Sequence, residues 1–85
     1  SPYRPAGGTL MLSYALPRQG RVRVTILDAA GRCVVRLFEG AQDAGTHALG
    51  WAGRGENGDT LGAGVYLVRL QTELGERTRK ITLVR

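Results

Sequence analysis

Eighty-five residues make one domain, near the size at which only about 60% of the unfolded chain's surface can be buried, so a second domain is excluded and the core has to be compact. A single cysteine, Cys33, excludes an intramolecular disulfide, and no paired Cys or His spacing offers a zinc site, so apolar packing has to suffice. The net charge of +5, from 12 basic residues of which 11 are arginine against 7 acids, invites a nucleic-acid reading; yet the arginines are spread along the chain without an aromatic-interleaved basic tract, and no specific nucleic-acid site is expected.

No run of 18 apolar residues is present, so no segment has the length of a membrane-spanning helix, and Ser1-Pro2-Tyr3 does not open a signal peptide. Without an initiator Met the chain reads as part of a longer protein. Residues 1–8 carry Pro2, Pro5, Gly7 and Gly8, which predicts an extended lead-in or linker ahead of a domain over 9–85. Residues 9–16 alternate, with Leu10, Leu12, Tyr14 and Leu16 on one face, and predict a strand with one wet side. Pro17-Arg18-Gln19-Gly20 turns the chain. Residues 21–28 alternate more cleanly, Val22, Val24 and Ile26 inward against Arg21, Arg23 and Thr25 outward.

Asp28-Ala29-Ala30-Gly31 has the chemistry of a type I turn closed by a left-handed glycine, so residues 33–39 are expected to return beside the strand before them. The spacing of Val34 and Leu37 places both on one face only if that strand carries a bulge. Residues 39–45 read as a loop, after which His47, Leu49 and Trp51 alternate, with Trp51 as a large core anchor. Gly53, Gly55, Asn57-Gly58 and Gly62 break residues 52–62 into successive turns, with a brief pairing at Thr60-Leu61. Two glycines then lead into Val65 to Leu70, the central strand, on which Tyr66, Val68 and Leu70 share a face. Glu73-Leu74-Gly75-Glu76 turns into the last strand, 77–85, with Arg79, Ile81 and Leu83 on one face.

Nothing reads as a helix. About seven short strands with turn signals every eight to twelve residues predict an all-β fold, a small antiparallel sandwich of immunoglobulin or fibronectin type III architecture. Its expected core is Tyr14, Val24, Ile26, Leu49, Trp51, Tyr66, Val68, Leu70, Ile81 and Leu83.

Catalytic chemistry is thin in the sequence. His47 reads as a half-buried strand residue without a base or ligand partner. Cys33 at a strand start reads as a small, partly buried structural residue, and Ser13 has no nucleophile-elbow glycines around it. Glu56 and Asp59 are solvated loop charges by default; a weak calcium site is the alternative, against which Glu56-Asn57-Gly58-Asp59 lacks a run of alternating oxygen ligands. Gly62-Ala63-Gly64 does not precede a helix and is no phosphate loop. No catalytic set, cofactor or metal is expected.

The residues also carry a family resemblance. Ser1-Pro2-Tyr3-Arg4-Pro5, Leu12-Ser13-Tyr14-Ala15-Leu16-Pro17, Asp28-Ala29-Ala30-Gly31-Arg32, Ala44-Gly45-Thr46-His47, Trp51-Ala52-Gly53-Arg54, Gly62-Ala63-Gly64-Val65-Tyr66 and Arg79-Lys80-Ile81-Thr82-Leu83-Val84-Arg85, in that order, resemble the FlgD-like immunoglobulin domain, a family overlapping the type A C-terminal sorting domains of the type IX secretion system. Ala52 and Gly55 stand where that family commonly has acids, and Ser1 and Arg4 where it often has asparagines.

The resemblance implies a non-catalytic module of a larger secreted or cell-surface bacterial protein that travels through the periplasm. As a sorting domain it would be read by a secretion translocon at Gly64, Tyr66, Lys80 and Arg85, with a free-ended last strand as the recognition element. Its partners would then be the secretion and attachment machinery of the outer membrane. As a structural module, like the flagellar hook-assembly protein that names the family, it would instead contact other domains of its parent. A carbohydrate-binding module is a third reading, disfavoured because Trp51, Tyr14 and Tyr66 are assigned inward. A monomer is expected.

Overall fold

Alternation in the sequence becomes strand structure almost everywhere it occurs. The computed structural model describes residues 2–4 and 8–84, and within them seven strands follow one another: β1 (Pro2–Tyr3), β2 (Leu10–Leu16), β3 (Gly20–Asp28), β4 (Cys33–Gln42), β5 (Gly45–Trp51), β6 (Gly64–Thr72) and β7 (Gly75–Leu83). They form a five-stranded sheet in the order β1-β7-β6-β3-β4, faced by a two-stranded sheet of β2 and β5. This is the expected all-β immunoglobulin-like sandwich. β6 is the middle strand of the larger sheet, the central place expected of it.

The seventh strand is not the expected one. Thr60 makes only an isolated bridge to Arg54, whereas Pro2 and Tyr3, expected as lead-in or linker, pair in parallel with Thr82 and Leu83. Val84 N–H extends the pairing, donating to Tyr3 O at 2.9 Å. A buried tyrosine explains why two residues hold this position: the Tyr3 side chain is 7% exposed, and its burial offsets the entropy of ordering a short terminal strand.

The β3–β4 hairpin turns as its residues dictate. Gly31 has φ +88°, a conformation a Cβ disfavours, and Asp28 Oδ1 accepts from the amides of Ala30 and Arg32 at 3.0 and 2.9 Å. Beyond the turn the pairing slips twice, between Val24 and Thr25 and between Ile26 and Leu27. Leu37 and Val34 are the residues left without a partner, so two bulges stand where one was expected. Both side chains pack against the core as a result. β4 also runs on to Gln42, beyond the loop expected from residue 39.

Val24, Ile26, Trp51, Tyr66, Ile81 and Leu83 are buried. The other expected core residues, Tyr14, Leu49, Val68 and Leu70, are only partly buried, packed at the margin of a second cluster formed by Leu16, Val22 and Val24. Two strands cannot roof five, so the inner face of the larger sheet is covered unevenly. Thr25, expected on the wet face, is 4% exposed; its register neighbours there are Arg36 and Arg69, whose long side chains can cover a small residue between them.

Candidate functional site

The aromatic centre of the sandwich joins three distant parts of the chain. Trp51, at the end of β5, is 3% exposed and lies between Tyr3, with ring centroids 5.9 Å apart, and Tyr66, at 5.8 Å in an edge-on arrangement. Each polar handle is used: Trp51 Nε1–H donates to Arg54 O at 3.0 Å, and the Tyr66 hydroxyl to Gly62 O at 2.8 Å. The second contact ties a tyrosine to backbone four residues upstream, as at the corner of immunoglobulin sandwiches. It ensures that the turn before β6 and the strand's core face are set together.

Residues 52–62 fold against the exposed edge of the larger sheet. β4 is an edge strand of the larger sheet, and Glu56 takes two of the backbone groups along that edge: its N–H donates to Val34 O at 2.9 Å and its carboxylate accepts from the Arg36 amide at 2.9 Å. Sequence reasoning took Glu56 for a solvated charge; it closes part of the β4 edge. The missing signal was that β4 is an edge strand, whose outward amides are invisible before the pairing is known. Among the described residues no group of three or more His, Cys, Asp and Glu side chains is placed to hold a metal ion.

Of the four residues that the family resemblance implies for translocon recognition, the three described ones, Gly64, Tyr66 and Lys80, do not share one surface. Gly64 has φ +152° where the chain enters β6, a conformation that favours glycine. Tyr66 is 8% exposed and belongs to the core; the folded domain does not present its ring. Lys80 is exposed and pairs with Leu67 on the opposite face of the sheet from Tyr66 and Ile81. Arg85 lies outside the described residues. The last strand is not a fully free edge either, because β1 covers it at Thr82 and Leu83. Its edge is open over the residues before them.

Ser13 and His47 lie on the paired strands β2 and β5, and Cys33 on β4 of the other sheet. Cys33, expected to be partly buried, is exposed. His47 is half-buried, stacked at 5.6 Å on Tyr14 and hydrogen-bonded through Nε2 to Asp43 O at 2.7 Å. The Tyr14 hydroxyl bonds the Gln42 side chain, and burial pushes its pKa up against the opposing effect of that bond. Ser13 is exposed on β2.

Nor do the basic residues share one face. Arg23 is paired with Glu39 at 2.9 Å, and Arg36 reaches the same carboxylate at 2.8 Å; Arg21, Arg23 and Lys80 lie on the outer face of the larger sheet. Arg77 and Arg79 lie on the other, as the register partners of Leu70 and Val68. Here the small sheet ends, and a groove of about 500 Å³ opens between Leu12–Ala15 of β2, the apolar side chains of Val24, Val68 and Leu70, and Arg77–Arg79 of β7.

A seven-stranded, two-sheet sandwich with a corner tyrosine defines an immunoglobulin-like domain. The chain belongs to the FlgD Ig-like domain family, whose model matches residues 5–76. Among solved structures it is similar to FlgD from P. aeruginosa, at 29% identity and a TM-score of 0.66, over 88% of this chain and 59% of that one; it therefore spans little more than half of that protein. PorZ from Porphyromonas gingivalis, an essential bacterial surface component of the type-IX secretion system, shares the fold at 19% identity and a TM-score of 0.56, over 95% of this chain and 12% of PorZ. No curated protein matches the chain in sequence.

Proposed function

We propose that this domain is a non-catalytic interaction module of a larger extracytoplasmic bacterial protein, holding its parent to a neighbouring part of an assembly. Its family membership over residues 5–76 carries the reading. The uneven roofing of the larger sheet supports it, since among the described residues one edge of β2 and part of that of β7 are left unpaired. No cofactor enters this role, and the domain itself acts as a monomer.

A second reading, a type IX sorting and surface-attachment domain, draws on the fold shared with PorZ and on the exposed Lys80 of the last strand. With Tyr66 in the core, recognition would rest on Lys80, Arg85 and the open part of the β7 edge. One experiment separates the two readings: in-frame deletion of the 85 residues from the parent protein in its own host. An assembly module leaves export of the parent intact and abolishes its cross-linking to neighbours. A sorting domain leaves the parent in the periplasm, and fusion to a periplasmic fluorescent protein then carries that cargo to the surface. Deletion with neither consequence removes both readings.

A further inference from the structure

We propose that the groove beside β2 receives an extended segment of a partner protein that adds to β2 as a third strand and carries acidic side chains at alternate positions; this rests on the reading of the domain as an interaction module. Among the described residues β2 is paired only with β5, so the backbone donors and acceptors along its other edge lack a ladder partner there. That edge faces the groove, because the β2 residues Leu12–Ala15 line it and β5 does not. The groove continues past Pro17 to Leu74 through Leu70 and Arg77, which border both its parts. From Leu12 to Pro17 it therefore runs about 20 Å, the length of a six-residue strand.

The chemistry of the floor selects the occupant. Val68 and Leu70 are apolar, while the guanidinium groups of Arg77 and Arg79 have no hydrogen-bond or ion-pair partner among the described residues. A purely apolar strand laid over them would desolvate two cations without compensation. The two arginines are two residues apart on one face, about 6.6 Å, which is the spacing of the inward side chains of an incoming strand. Carboxylates at its positions i and i+2 meet both, and their stems cover Val68 and Leu70. A second copy of the chain does not meet this need. β2 contains no acid from Leu10 to Leu16, so two copies paired edge to edge leave both arginines without a counter-charge.

The test titrates the isotope-labelled domain with the blocked peptide Ac-VTETETV-NH2, whose glutamates share one face with the terminal valines. Saturable binding is expected, with amide shifts across residues 11–16 and slowed hydrogen exchange on β2. Changing Arg77 and Arg79 together to glutamine should weaken it about tenfold without moving the unfolding temperature, because both side chains are exposed and unpaired. Binding should fade with salt, and the lysine counterpart Ac-VTKTKTV-NH2 should not bind. Two further peptides, N-methylated at odd or at even positions, distinguish strand addition from charge attraction: one set faces β2 and should abolish binding, the other should be tolerated. Equal binding by both, or shifts confined to β7, overturns the proposal. So does self-association of the domain alone through the same β2 amides. A failed titration leaves the assembly reading standing, since the deletion phenotype tests that separately.

Discussion

The Tyr3 hydroxyl lies 3.0 Å from the carbonyl oxygen of Trp51, and 2.8 Å from that of Gly8, so its one proton is shared between the start of the chain and the end of β5. The ring stacks on Trp51 while the backbone of Tyr3 pairs with Leu83. A two-residue strand thus laces the two sheets together. Tyr3→Phe, which keeps the ring and removes the bond, should cost about 1 kcal/mol. Tyr3→Ala should cost about 3–5 kcal/mol, as for other buried aromatics. Urea unfolding checks both; an alanine variant as stable as the parent would show that β1 is incidental.

Trp51→Ala removes the residue that both tyrosines pack against and should cost about 3–5 kcal/mol, much of what a domain this size has. It should be largely unfolded at 37 °C. The parent's tryptophan emission should be blue-shifted; emission like that of free indole in water would contradict the burial of the ring.

Gly64→Val should destabilise by about 1–3 kcal/mol, since φ +152° is strained for a β-branched residue. No atom lies within 4 Å of a Cβ built there, so the penalty is conformational rather than steric. Gly62→Ala is the control: it too meets nothing within 4 Å, and its φ is not positive. Similar melting temperatures for the two variants would remove the special role of Gly64.

Acid should weaken the hairpin side of the larger sheet. The backbone amide of Arg32, with its guanidinium and the Ala30 amide, holds the Asp28 carboxyl below the usual range; hydrogen bonds from Arg23 and then Arg36 do the same for Glu39. A carboxyl depressed in the folded state contributes stability above its unfolded pKa and loses that contribution as pH falls through its folded pKa, here between about pH 5 and pH 2. Asp28→Asn keeps an acceptor for the two amides and loses the charge, so its urea midpoint should decline less steeply with acid. Identical slopes would place the acid sensitivity elsewhere.

Glu56→Ala should raise hydrogen exchange at the Arg36 amide by at least about tenfold, because that amide loses its carboxylate acceptor. Glu56→Gln keeps an oxygen in place and should restore most of the protection. Unchanged exchange in both variants would mean that residues 52–62 do not seal the β4 edge.

Local physics was sufficient for much of the architecture. The period-two runs at Leu10–Leu16 and at Val22, Val24 and Ile26, the turn chemistry of Asp28 to Gly31, and the apolar stretch after Gly64 were legible because each depends on neighbours a few residues away. The conflict between Val34 and Leu37 even announced a bulge. What the sequence could not determine depended on pairing across the fold. Tyr3 looked like linker because a two-residue strand has no periodicity of its own, and only Leu83 and Trp51, far along the chain, make it one. Glu56 gained a structural partner only because the sheet order leaves β4, and with it the Arg36 amide, at an edge. Arg77 and Arg79 follow the same alternation as Ile81 and Leu83, yet they stand in an open groove, because the number of strands roofing a sheet is decided by tertiary assembly and not by the residues beneath it.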